Sequence, residues 1–421
     1  MGLANSPVLL LRLAGLCLLC VLLGGGQAQA ASSTLNAGFR TLGVWQPEKD
    51  IRVDLAIWYP TKRAPSDLRY GPWLFRAARN AKELEGRFPL LLLSHDSPGT
   101  RFSHHHSAEK LAKSGFVVAA LTHYGDNMND MSLLFTPEQI PVRLAQIRAA
   151  LDALLANADL SGFIDARRIG LIGFGAGASA ALLLGGATLD AGNWPEYCAR
   201  AGENDPYCTP LNFERLNAIA ATLPGKVALG AKNAQLASSA SLASSDPSGR
   251  EARAAQERQG ASGKRTATFA AREARERAAR EKQLNESPPA KPSQRDPRIR
   301  ALAVIAPAYP MFFTAKSLQG LAAPLLFVYA GPESLSALPA SRRLHEFLPP
   351  LAGKRQLVIE GADLLALMSA CPPRLLQDLP ELCSSTGAAE RERAHEQLDR
   401  ELGSFFLEQL GALPLEETVA H

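Results

Sequence analysis

Gly173-Phe174-Gly175-Ala176-Gly177 joins an apolar run, Arg168-Ile169-Gly170-Leu171-Ile172-Gly173, to an Ala- and Leu-rich stretch that starts near Ala178. Read together, these residues predict a strand, a sharp turn and a helix. A turn of this kind carries the motif Gly-x-Ser-x-Gly, in which it lifts a serine hydroxyl into a reactive position. Gly175 stands where the serine belongs and has no side chain. The same residues also fit the dinucleotide pattern Gly-x-Gly-x-x-Ala, as Gly173, Gly175 and Ala178. That reading needs a following strand ending in an acidic residue, and a cysteine-containing loop stands there instead, so nucleotide binding is not expected.

Working outward, strands and helices alternate. Gly38–Val44 and Asp50–Pro60 alternate like an antiparallel hairpin that Pro60 ends. Phe88–His95 and Gly115–His123 are continuous apolar runs, as in strands buried on both faces, with a helix predicted over Ser107–Ser114. Leu144, Ile147, Leu151, Leu154 and Leu155 share one helical face. Further strands fit Ala301–Ala306, Pro324–Tyr329 and Arg355–Glu360, and a helix fits Ala388–Leu410. The order implies a mostly parallel sheet covered by helices on both faces, an α/β fold in a single domain built from 31–225 and 298–421. Residues 226–297 interrupt it. They are rich in Ala, Ser, Gly, Arg and Glu and poor in large apolar residues, so a disordered or loosely helical basic insert is expected.

The 421 residues are 46% hydrophobic, ample for one large domain. Residues 1–30 read as a secretory signal: Arg12, an apolar run from Leu13 to Leu23, then Ala28-Gln29-Ala30. The expectation is therefore an exported protein, periplasmic or secreted. Net charge is +4, and +3 without Arg12. Gly249–Lys282 holds ten Lys and Arg against five Glu, an excess that leaves the rest near −2. Basicity is thus local. No nucleic-acid partner is expected, and 249–282 is the stretch expected to meet a protein or an anionic surface. Without the signal, Cys198, Cys208, Cys371 and Cys383 remain; they allow three pairings, of which the local ones close short loops. Their spacing does not suit zinc. His104-His105-His106 sit at a helix start and point in different directions, so no metal and no cofactor are expected.

Several short motifs occur in one order. Gly38-Phe39-Arg40, Trp58-Tyr59-Pro60, Leu93-Ser94-His95, Phe102-Ser103-His104, Gly115–Ala120, His123-Tyr124-Gly125 and Leu151–Leu155 precede the turn at Gly175. In this order the chain resembles exported bacterial α/β-hydrolases of the dienelactone hydrolase type, relatives of platelet-activating-factor acetylhydrolase. The resemblance covers 36–225 and 298–410 and implies an α/β-hydrolase fold. Both cysteine pairs match family positions.

The resemblance also says where ester-hydrolysis chemistry belongs, and this chain departs at each place. Gly175 replaces the nucleophile. Leu364, in Gly361-Ala362-Asp363-Leu364-Leu365, replaces the base histidine. The acid position falls on Pro307 or on Ser334, with Glu333 one residue away as a displaced candidate. His95-Asp96 replaces His-Gly in the oxyanion loop, where a carboxylate opposes a developing negative charge unless it caps a turn. His95, His104 and His123 match family positions near the pocket. Ser97 and Ser179 are nearby serines without the strand–helix geometry of a nucleophile. The expectation is a fold that has lost its catalytic set, with a vacated pocket around Phe174, Gly175, Ala176, His123, Leu364 and Leu365 for an apolar or ester-like molecule. The alternative is a carboxylic-ester hydrolase with a rearranged or residual site using Asp96, Glu333 or His95.

Overall fold

Ten strands lie in one sheet in the order β10-β9-β8-β7-β5-β6-β2-β1-β4-β3. They are β1 (Asn36–Gln46), β2 (Ile51–Thr61), β3 (Ser66–Tyr70), β4 (Trp73–Arg79), β5 (Phe88–Ser94), β6 (Val117–Thr122), β7 (Ile164–Phe174), β8 (Ile299–Ile305), β9 (Leu325–Ala330) and β10 (Arg355–Ile359). β6, β5, β7, β8, β9 and β10 run parallel, while β2 is antiparallel to β6 and to β1. The computed structural model describes residues 35–46, 51–201, 205, 207–209, 216–223, 294–330, 344–378, 380, 383 and 386–411. The signal at 1–30, the basic stretch 249–282, Glu333 and Ser334 lie outside them. Residues Leu35–His421 form one compact unit.

The helices are α1 (His105–Lys113), α2 (Gln139–Ala156), α3 (Ala158–Ser161), α4 (Ala176–Leu184), α5 (Trp194–Ala201), α6 (Pro373–Asp378) and α7 (Ala388–Leu410). One face of the sheet packs on α2 and α4 through Leu144, Ile147, Leu151, Leu182 and Leu184. The other packs on α1 and α7 through Leu111, Leu398, Leu402, Phe405 and Phe406. Every residue of β5 is buried, as its continuous apolar run requires. Among the described residues no helix is long and apolar enough to cross a membrane.

The pairing of Gly38–Val44 with Asp50–Pro60 is the β1–β2 hairpin. The β3–β4 hairpin was not expected. Its alternating Leu68, Trp73, Phe75 and Ala77 are buried, and Gly71 turns it at a φ of 58°. Before β8, residues 294–298 lie against the domain. The Asp296 N–H donates to Leu184 O at 2.9 Å, and Arg298 pairs with Asp296 and Asp152. Both local disulfides form, Cys198–Cys208 and Cys371–Cys383.

Candidate functional site

The C-terminal ends of the central parallel strands point at one crevice, where ligands bind in open α/β sheets. β7 ends at Phe174, and Gly175 turns the chain into α4 with φ 50° and ψ −114°. Only glycine adopts this conformation without strain. Neighbours hold it on both sides: the Gly175 N–H donates to Ile305 O at 2.9 Å, and Gly175 O accepts from the Ala308 N–H at 3.0 Å. The flanking glycines matter for closeness. A Cβ on Gly173 would lie 2.3 Å from Gly177 O, and one on Gly177 would lie 2.1 Å from Ser94 O. The sequence thus builds the sharp elbow that the opening motif predicts.

Asp96 fills the space where a nucleophile would stand. A Cβ on Gly175 would lie 1.8 Å from Asp96 Oδ1 and 1.9 Å from its Cγ. Asp96 Oδ1 also accepts from the Ala176 N–H at 2.8 Å. On this fold the N–H of the residue after the nucleophile is an oxyanion donor. Here a carboxylate occupies it. Burial pushes the Asp96 carboxyl above its usual range, against the opposing pull of the Ala176 and Ser97 N–H groups and of Arg143.

A buried polar cluster backs this loop. Arg143 Nε pairs with Asp126 Oδ2 at 2.6 Å, both side chains 1% exposed. Arg143 also donates to His95 O (2.6 Å) and Ser97 Oγ (3.1 Å). Asp126 Oδ2 further accepts from Ser97 Oγ (2.9 Å) and Gln139 Nε2 (2.7 Å), and Tyr309 OH donates to Gln139 Oε1 (2.5 Å). Burial works to raise Asp126, but the charge of Arg143 and these hydrogen bonds outweigh it and hold the carboxyl below its usual range. Asp126 Oδ1 is buried without a hydrogen-bond partner among the described residues.

The histidines near the elbow are held neutral. His95 Nδ1–H donates to the Asp96 carbonyl (2.6 Å), and its Nε2 accepts from the His123 N–H (3.2 Å). Burial, aided by Arg143, takes His95 down to about 3. Burial also takes His104 down to about 3, and its ring stacks on Phe174 at 3.5 Å. His123 is pushed well below the ordinary imidazole range by burial and Arg143. Imidazoles this acidic are weak proton acceptors at neutral pH.

Leu364 begins a short 3-10 helix after β10, and Asp363 caps it by accepting from the Ala366 N–H at 2.6 Å. Two imidazoles from distant sequence reach this loop. His104 Nδ1 lies 3.2 Å from Leu367 O, and His395 Nε2 lies 2.7 Å from Ala366 O. Both bind backbone carbonyls. Pro307 is buried in the loop after β8, between Ala306 (φ 45°) and Ala308. The rings of His104, His105 and His106 diverge, toward Phe174, Phe75 and His395 respectively. Among the described residues no group of three or more His, Cys, Asp or Glu could hold a metal ion.

One chain of groups was not anticipated. Ser94 Oγ lies 2.8 Å from His123 Nε2, and His123 Nδ1 lies 2.9 Å from Gln146 Oε1. Gln146 Oε1 only accepts, which assigns the proton to His123 Nδ1 and lets Nε2 accept from Ser94. This is the bonding order of a nucleophile, a base and an orienting group. All three side chains are fully buried, and Arg143 Nη1 stands 3.5 Å from Ser94 Oγ. Ser94 sits on a strand and is fully buried, so the arrangement packs the core. Leu93-Ser94-His95 and His123 are visible in the sequence; their meeting with Gln146 is set by the β5–β6 pairing and α2.

A cavity of ≈ 290 Å³ lies beside the elbow, between α2 and α4. It is lined mainly by apolar side chains, among them Ile140, Leu144, Leu183, Leu223 and Phe312. Phe174, Ala176, His123 and Leu365, expected around the pocket, do not line it. Phe174, Ala176 and His123 are buried, because His104, Asp96 and Ser94 fill the space against them.

No protein-family model and no curated protein match this chain. A ferulic acid esterase from Streptomyces cinnamoneus is similar in structure over 94% of this chain and 95% of its own, with a TM-score of 0.50 and 15% identity. A dienelactone hydrolase from Anabaena variabilis covers 89% of this chain and 99% of its own, with a TM-score of 0.41 and 12% identity. The parallel sheet with an antiparallel β2, the elbow after β7 and the likeness to the esterase structure together make this an α/β-hydrolase fold.

Proposed function

We propose that this chain is an exported, non-catalytic member of its fold that binds an apolar small molecule. The observation that carries the reading is the Asp96 carboxylate, which takes both the volume of the nucleophile and the Ala176 N–H that would meet an oxyanion. Gly175 and Leu364 supply no nucleophile and no base, and the loss of either one alone already removes most of the rate. The histidines that remain nearby are neutral and bonded to backbone or core groups. The two disulfides support export, because such bonds persist in oxidising compartments. The basic stretch 249–282 would serve contact with a protein or an anionic envelope surface. The test is turnover of short-chain carboxylic esters by the purified protein. Background rates support the reading, and saturable turnover defeats it.

A second reading, a rearranged carboxylic-ester hydrolase, is favoured by one observation. Asp96 places a carboxylate where a nucleophile acts, with Tyr207 and Tyr309 close enough to feel its charge. Ester turnover that disappears in Asp96→Asn would establish it.

A further inference from the structure

The cavity between α2 and α4 has a chemical character that its volume alone does not convey. Among the described residues, none of its lining side chains carries a charge. An ionised group entering it would lose hydration with no partner, which is prohibitive for a carboxylate or an ammonium. Its polar groups are five hydroxyls and the amides of Gln139 and Gln294, and the hydroxyl protons are already committed. Thr136 donates to Leu133 O (2.9 Å), Thr222 to Ile219 O (2.8 Å), Ser179 to Ala308 O (2.5 Å) and Thr188 to Ser317 O (3.4 Å). Tyr309 OH donates to Gln139 Oε1, whose own amide protons go to Asp126 and Ser97. A hydroxyl that has given its proton keeps lone pairs that accept. The side-chain hydroxyls of the wall therefore offer acceptors.

We propose that this cavity binds an uncharged apolar molecule that donates a hydrogen bond to the wall, an alcohol or a phenol rather than an ester or a carboxylic acid. The inference rests on the ligand-binding reading above and narrows it. Ester carbonyls only accept, so at the hydroxyls they would meet oxygen lone pairs, and of the described lining side chains Gln294 alone has an amide left to donate to them. An alcohol or phenol pairs its proton and buries its body against Ile140, Leu144, Leu183 and Phe312. The volume, ≈ 290 Å³, stands at the small end of ligand pockets and suits a single ring with a short chain.

Calorimetric titration of the full chain with three matched probes tests this: para-propylphenol, para-propylanisole and para-propylbenzoate. The phenol is expected to bind at least roughly tenfold tighter than the anisole, the factor that one hydrogen bond of about 1.4 kcal/mol supplies. The benzoate is expected not to bind. Leu183→Trp fills the cavity and should abolish phenol binding with the fold retained by circular dichroism. Thr222→Val keeps the shape, removes one acceptor and should weaken the phenol alone. Equal or tighter binding of the anisole, tightest binding of the benzoate, no binding of any probe, or phenol binding that survives in a folded Leu183→Trp would each overturn the proposal. Ester turnover would instead defeat the non-catalytic reading and leave this ligand order standing.

Discussion

At the N-terminus of α4, buried Asp126, Arg143 and Gln139 pack with half-buried Asp96 and Ser97 into a polar cluster, and Asp96 takes the space beside Gly175. One and two turns further along the same helix, Ser179 and Leu183 face a cavity that has no charged side chain among the described residues. The first region keeps the backbone of a reactive site and closes it with charge. The second has no reactive group and remains open. Gln139 and Tyr309 belong to both, since their mutual hydrogen bond joins the cluster to the cavity wall. The contrast teaches that an elbow reports the fold, while the side chains within reach of it report the chemistry.

The strongest way to break the contrast is Arg143→Ala. It leaves the buried Asp126 carboxyl without its countercharge, a loss of about 3–5 kcal/mol. Denaturant unfolding would measure it, and a loss below about 1 kcal/mol would mean the cluster is wetter than its burial implies. Gly175→Ser comes next. It places a side chain at φ 50° and against the Asp96 carboxylate, at a cost of about 2–4 kcal/mol in unfolding free energy. Asp96→Gly in the same chain should recover about 1–3 kcal/mol of that as a coupling energy. Additive single effects would show that the two residues do not compete for one space.

Removal of the Cys198–Cys208 bond should cost about 2–3 kcal/mol for its short loop. The bond lies beside Tyr207, whose OH accepts from the Tyr309 N–H at 3.3 Å. The same variant should therefore weaken phenol binding at the cavity and leave the Gly175–Asp96 coupling unchanged. The smallest expected effect is Asp96→Asn, on the order of 1 kcal/mol. Its size depends on pH. Burial raises the folded carboxyl of Asp96, so its protonated form stabilises the fold below the unfolded value of about 3.9, and that contribution is lost as pH rises through the raised value. Asn keeps an acceptor for the Ala176 N–H and does not ionise. The variant should match the parent near pH 4 and exceed it near pH 8. An advantage that shrinks with rising pH would reverse the account.

Much of the fold was legible. The continuous apolar runs of β5 and β6, the alternation of β1 and β2, and the glycines at 173, 175 and 177 each impose one backbone solution. The β3–β4 hairpin was not expected, because the Gly71 turn breaks the alternation of Leu68, Trp73, Phe75 and Ala77 into two short pieces. At the site, the absence of a side chain at Gly175 and of an imidazole at Leu364 is visible in the sequence. The contact of Asp96 with the Gly175 position is not, since 79 residues separate them and only the β5–β7 pairing, Ser94 beside Gly173, sets the distance. The Ser94–His123–Gln146 chain and the cavity are likewise products of packing between elements.

Intact mass spectrometry after treatment with a fluorophosphonate tests the central claim most directly. The account predicts no adduct, because Asp96 stands where a reactive serine would and Ser94 is sealed in the core. A stoichiometric adduct that disappears in Ser94→Ala, or in any other single serine variant, would contradict it.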